Sequence, residues 1–169
     1  APSTTNFYGG DLTQSYRLYT LALAKVPELG AMNRLKEFKY LSTEAKWRLA
    51  AAYKLAGQDN TALDLISGLP TSFEDRSSPG YTCGSSLRDQ AMVFETLTIM
   101  GRKAKAAELL PTIAAKLAQD NWYSTQTTAY ALIAIAKYCG KNPSGSKIIA
   151  TGTVDGKNVD INSASAVRQ

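Results

Sequence analysis

Histidine is absent from this sequence, and that absence removes more chemistry than any residue present supplies. Without imidazole there is no Ser-His-Asp triad, no Cys-His nucleophile pair and no histidine-bearing zinc site. Cysteine is scarce: Cys83 and Cys139 are the only two, and neither sits in a Cys-x-x-Cys pair. That is too few for a disulfide framework. Neither Gly-x-x-x-x-Gly-Lys nor Gly-x-Gly-x-x-Gly occurs, so the common phosphate-cradling loops are missing. The longest apolar run, Ala129 to Ala136, falls far short of the ~20 residues that cross a bilayer. The opening Ala1-Pro-Ser-Thr-Thr has no charged-then-apolar leader pattern and reads as a linker.

What remains is ordinary in composition and distinctive in pattern. The 169 residues suffice for one well-buried domain and a small appendage, and 44% hydrophobic with 20% charged content fits a globular protein. The net charge of +5 is scattered. Lys36, Lys39, Lys46, Arg48 and Lys54 interleave with apolar positions as solvated helix faces do, and Arg102, Lys103 and Lys105 fall at a helix–helix turn. No recognition helix or run of stacking aromatics points to a nucleic-acid partner. No cofactor, metal or catalytic residue is expected.

The pattern is a helix signature that recurs. Ser124 to Gly140 opens on polar capping residues, continues as an apolar run and closes on glycine. Ser42 to Gly57 and Ser85 to Gly101 are weaker copies. A helix apolar all round must be buried by other helices, and its recurrence implies a stacked helical array. Seven helices are expected: Asp11 to Lys25, stopped by Pro27; Glu28 to Lys39; Thr43 to Ala56, with Ser42 as N-cap and Gly57 as C′; Thr61 to Ser67; Ser86 to Met100; Lys103 to Leu117, kinked at Pro111; and one following Ser124. Gly57 and Gly101 are 44 residues apart. At that offset Ala62 meets Ala106, Leu65 meets Leu109 and Ile66 meets Leu110. Gly101 to Gly140 adds a step of 39, and helix pairs of about 40 residues fit an α-hairpin repeat.

Several side chains acquire expectations from this layout. Trp47 belongs to the core by helical period, and Trp122 should pack where the last helix starts. If the helices after Cys83 and before Cys139 are parallel neighbours, the sulfurs sit at opposite ends. Sixteen helical residues rise ~24 Å, and a disulfide needs Cα atoms within ~7 Å, so two free, mostly buried thiols are expected. Residues 71 to 83 form the longest irregular stretch, turning at Pro79-Gly80 with Phe73 and Tyr81 as anchors. Glu74 and Asp75 lie there, and Asp89 follows Arg88. Two carboxylates facing the centre of a helical toroid would suit glycoside hydrolysis; the helix dipole and local ion pairing account for Arg88-Asp89 more simply.

Beyond Gly140 the composition changes. Residues 141–146 read as a linker. Lys147 to Val154 and Lys157 to Ile161 read as strands around Asp155-Gly156, the strongest short hairpin signal. The expected organisation is a helical domain over 1–140 and a β-hairpin over 147–169 that begins a further β domain, since a lone hairpin is marginal in water.

Four segments carry a family resemblance: Ser124-Thr-Gln-Thr-Thr-Ala-Tyr-Ala-Leu-Ile-Ala-Ile-Ala-Lys-Tyr138; Asp11 to Ala24 together with Pro27-Glu-Leu-Gly-Ala-Met-Asn-Arg-Leu35; Ala45-Lys-Trp-Arg-Leu-Ala-Ala-Ala-Tyr53; and Gly84-Ser-Ser-Leu-Arg-Asp-Gln-Ala91. The first resembles the closing helix of the thioester domain in bacterial alpha-2-macroglobulins, where Ser-Thr-Gln-x-Thr-Ala-x-Ala-Leu is common. The others look like the Bacteroidetes-type branch. The resemblance covers residues 8 to 140 and implies an α/α toroid with parallel inner helices, of which this chain would be a C-terminal part of about seven helices. It further implies a periplasmic or cell-envelope protease inhibitor, a lipoprotein, whose partners are the proteases it traps. The family's thioester motif, Cys-x-x-Gln, is not here: Cys83 is followed by Gly84, Ser85 and Ser86. The segment would be non-catalytic scaffold. The competing readings are a generic helical-repeat protein-binding module and an α/α-toroid enzyme acting on carbohydrate. An incomplete toroid would bare apolar inner faces, so self-association is a further expectation.

Overall fold

The computed structural model describes residues 10–73, 85–120, 122–140, 148–154 and 156–163. Among them are seven helices: α1 (Gly10–Leu23), α2 (Leu29–Lys36), α3 (Thr43–Leu55), α4 (Asp59–Ile66), α5 (Ser86–Ile99), α6 (Lys103–Leu117) and α7 (Thr125–Cys139). Strands β1 (Ile148–Val154) and β2 (Lys157–Ser163) follow. The fold is mainly α, a run of helical hairpins and then a two-stranded antiparallel hairpin, as the sequence pattern implies. Ala1–Tyr138 forms one unit and Cys139–Gln169 a second.

In the helical unit the odd-numbered helices form an inner row. α1 packs on α3 and α3 on α5, while α2 covers α1 and α3, α4 covers α3, and α6 covers α5. Three of the inner helices, α3, α5 and α7, start in the same way. Ser42, Ser85 and Ser124 each accept a hydrogen bond from the backbone N–H three residues on, at 3.2, 3.1 and 3.2 Å, which satisfies one of the orphan donors of a helix start.

The far ends match as well. Gln58 N–H donates to Tyr53 C=O at 2.9 Å and Gly57 N–H to Lys54 C=O at 3.1 Å; Arg102 and Gly101 repeat this onto Leu97 and Thr98 at 2.9 and 3.0 Å. This is the Schellman termination, which sets the C′ residue in left-handed backbone. Gly57 and Gly101 stand there at φ 77° and 73°. α1 ends in the same motif, Val26 onto Leu21 and Lys25 onto Ala22, with Lys25 at φ 64° in glycine's place. The chain thus leaves α1 through a third copy of the repeat turn before it reaches Pro27.

Neighbouring inner helices run parallel. Ser42 N–H donates to Asp11 Oδ2 at 2.7 Å, which joins the starts of α1 and α3. Ser85 Oγ and Thr127 Oγ1 lie 2.9 Å apart at the starts of α5 and α7, and the Phe94 and Tyr138 rings meet at 5.1 Å near their ends. The core runs through α3 and α5. Leu49, Ala50, Ala51, Ala52, Val93 and Phe94 are wholly buried, and a side chain such as Leu49 or Phe94 contributes roughly 1.5–3 kcal/mol by leaving water. Ala62 and Ala106, matched at the 44-residue offset, are both at 0% exposure, so the small residue recurs where an outer helix lies tight on its inner partner. α6 continues through Pro111.

In the second unit, β1 and β2 pair with Val154 opposite Lys157 and Ile148 opposite Ser163. That leaves the two-residue link foreseen at Asp155-Gly156, with Gly156 at φ 74° and Asp155 outside the described residues. β2 runs two residues beyond the expected Ile161.

Three expectations are corrected. α7 is a helix, but it is not buried all round: Ala131 and Ala134 are at 0% exposure while Leu132 and Ile133 are at 55% and 53%, because the described residues put neighbours on one side of it. Cys139 is exposed rather than buried; Tyr138, one residue earlier, takes the inward position against Phe94. Trp122 is 91% exposed. Tyr123, the next residue, packs against the core in its place. Trp47 is buried as expected, its indole N–H donating to Pro70 C=O at 3.0 Å, and Phe73 packs on the core. Glu74, Asp75, Pro79-Gly80, Tyr81 and Cys83 lie outside the described residues.

Candidate functional site

The inner row converges on one buried ionic cluster. Arg48 of α3, at 0% side-chain exposure, places Nη2 2.9 Å from Glu95 Oε2 of α5, itself at 2%. Lys137 of α7 pairs with Glu95 Oε1. Tyr19 of α1 donates to Glu95 Oε1 at 3.0 Å, and Tyr130 of α7 to Oε2 at 3.1 Å. Lys137 Nζ also donates to Tyr19 Oη at 3.0 Å. Every inner helix contributes, and one carboxylate is the hub.

Arg48 is held differently from the rest. Its Nε and Nη1 have no hydrogen-bond partner among the described residues. Instead its Cζ lies 4.3 Å from the ring centroid of Tyr19, 5.4 Å from Tyr130 and 5.7 Å from Tyr16. Aromatic faces attract a guanidinium, by ~2 kcal/mol or more where both are desolvated, so the rings substitute for acceptors.

The electrostatics follow from burial and sign. Burial pushes the Glu95 carboxyl up, but Arg48 and Lys137 outweigh it and hold the group below its ordinary value of 4.5. Burial depresses Lys137, yet Glu95 and Tyr19 bring it above 10.5. Burial raises Tyr19 above 10.0, with the Glu95 charge adding to it; burial likewise raises Tyr130, against the pull of Arg48. At neutral pH the cluster therefore holds two cations, one anion and neutral phenols. Both Glu95 oxygens are taken, so the arrangement offers no free base or nucleophile and acts as a clasp between helices.

Arg48 corrects the reading of its charge as part of a solvated face. A better signal was available: α3, α5 and α7 each carry a single charge inside an apolar stretch, Arg48 in Trp47-Arg-Leu-Ala-Ala-Ala52, Glu95 in Val93-Phe-Glu-Thr-Leu97 and Lys137 in Ile135-Ala-Lys-Tyr138. Lone charges on neighbouring apolar helices must meet or be expelled, and these alternate in sign.

The other candidates do not assemble. Asp89 Oδ1 is gripped by Arg88 at 2.7 and 3.0 Å, the local ion pair expected. Glu74 and Asp75 are outside the described residues. Among the described residues no group of three or more potential ligands could hold a metal, and no helix is long and apolar enough to cross a membrane. A groove of about 680 Å³ along α1, α2 and the residues just after α2 is lined by Leu18, Leu21, Leu35 and Phe38 together with Arg17 and Arg34. The chain matches no protein-family model, no curated protein and no solved structure.

Proposed function

We propose that this chain is a non-catalytic scaffold segment of a bacterial alpha-2-macroglobulin-like, broad-spectrum protease inhibitor. Its helices would belong to the C-terminal part of a thioester-domain toroid and its hairpin to the β domain beyond. The observation that carries the reading is the inner row: apolar helices, three of them capped alike by serine, ending in α7, whose Ser124-Thr-Gln-Thr-Thr-Ala-Tyr-Ala-Leu132 resembles the family's closing helix. The clasp on Glu95 supports a structural role, since both oxygens of its carboxylate are engaged by side chains of the other inner helices. The partners would be proteases trapped by the larger protein, and the compartment the periplasm or cell envelope, with the parent a lipoprotein.

The test is a trapping assay on the full-length gene product. After mixing with a protease, cleavage of a large protein substrate should fall while cleavage of a small chromogenic peptide persists, because a trapped protease keeps its active site. Equal cleavage of the large substrate with and without the protein overturns the reading.

A further inference from the structure

α7 is joined to the inner row differently from α3 and α5. Those two are sealed by bulk: Trp47, Leu49 and Tyr53 on α3, and Leu87, Phe94 and Leu97 on α5, are each at 2% exposure or less. The side chains that α7 buries are small, Thr127, Ala131 and Ala134, and Leu132 and Ile133 stay more than half exposed. Hydrophobic stabilisation scales with the apolar area removed from water, so it holds α7 least. The fastenings of α7 are instead a few polar or long side chains. Thr127 Oγ1 meets Ser85 Oγ at 2.9 Å. Tyr130 donates to Glu95 Oε2 at 3.1 Å, Lys137 reaches Glu95 Oε1 and Tyr19 Oη, and the Tyr138 ring lies against Phe94.

The clasp that α7 would leave behind is complete without it. Arg48 Nη2 keeps Glu95 Oε2 at 2.9 Å, and Tyr19 keeps Oε1 at 3.0 Å. The Tyr19 and Tyr16 rings still flank the guanidinium at 4.3 and 5.7 Å. One cation then faces one anion, and Lys137, already a third exposed, passes into water. No buried charge is stranded, which is the main cost of breaking a buried ion pair. The hydroxyls of Tyr130 and Thr127 exchange protein partners for water at small net cost. We propose that α7 is a latch, held shut by Lys137 and Tyr130 on Glu95, that opens as one unit while α1 to α6 stay folded. A helix of 15 residues is marginal alone in water, so undocking and unwinding are one event. Opening bares Phe94 and the Glu95 carboxylate, and α7 thereby controls access to that face of α5.

Native-state hydrogen exchange on the chain tests this. Amides of Ala131 to Ile135 should exchange at least tenfold faster than those of Leu49 to Ala52 and Val93 to Leu97, through an opening that exposes less surface and so responds less to added denaturant. Ile66→Val, a small cavity under α4, should quicken α3 and α5 severalfold and leave α7 unchanged, because the body is folded on both sides of the latch's opening. Lys137→Met should quicken α7 about tenfold. A wild type whose three helices exchange at one rate with one denaturant dependence overturns the proposal. So does an Ile66→Val that quickens α7 as much as α3, or a Lys137→Met that leaves α7 unchanged.

Discussion

Glu95 is the residue on which the four inner helices depend, and its replacement separates two views of a buried ion pair. Desolvation opposes placing Arg48 and Glu95 inside, and a buried pair is often no better than well-packed apolar side chains. Removing one partner is different, because it strands the other. Glu95→Ala would leave Arg48 fully buried with only aromatic faces around it, at a cost of about 3–5 kcal/mol. Arg48→Met/Glu95→Met should cost less than Glu95→Ala, since no unpaired charge is left in the core. Urea denaturation of both variants measures this. A loss below about 1 kcal/mol for Glu95→Ala, the range of an exposed ion pair, would mean that the cluster holds nothing together. Lys137, with a third of its side chain exposed, is the outer and weaker arm.

At the scale of the helix, the repeat turn gives a substitution that should stabilise the protein. Lys25 occupies left-handed backbone at φ 64°, where an L side chain costs about 1–2 kcal/mol relative to its preferred region. Lys25→Gly should recover roughly 1 kcal/mol of this, less the extra entropy of glycine in the unfolded chain. Gly101→Ala, at φ 73° where an added methyl group meets only open space, should lose a similar amount through the backbone alone. Thermal melts of the two should shift in opposite directions; melts that move the same way would show that the turn is not strained as described. This turn also shows where the sequence was legible. Gly57, Gly101, Ser42, Ser85 and the α6 limits Lys103–Leu117 were readable because capping and periodicity are local. The turn after α1 was hidden because lysine gives no left-handed signal and Pro27 offered a sufficient reason for a helix end. The burial of Arg48 was legible only by reading three helices together, as lone charges of alternating sign in apolar stretches, and the exposure of Leu132 and Ile133 was not legible at all: which side of a helix faces inward depends on neighbours distant in the chain, and hydrophobicity on every side of α7 gave its period no direction.

For the whole molecule, the lack of histidine returns as a statement about pH. Histidine is the side chain whose ordinary titration falls between about pH 5 and 8, and none is present, so stability should be nearly level across that interval. The limits come from the clasp. Glu95 titrates lower in the folded protein than in the unfolded chain; the unfolded state then binds its proton more readily, and the stabilisation present above pH 4.5 is lost as pH falls through the depressed folded value. Lys137, Tyr19 and Tyr130 titrate higher in the folded protein. Their contribution is complete below the ordinary values of 10.5 for lysine and 10.0 for tyrosine, and is lost as pH rises through the raised folded ones. The melting temperature should therefore form a plateau with an acid limb below about pH 4.5 and an alkaline limb above about pH 10. Glu95→Gln should flatten the acid limb by removing the proton whose uptake drives it, and should lower the plateau because the amide carries no charge for Arg48 and Lys137. If the acid limb keeps its slope in Glu95→Gln, acid unfolding is driven by other carboxylates, and the clasp does not set the acid limit of the fold.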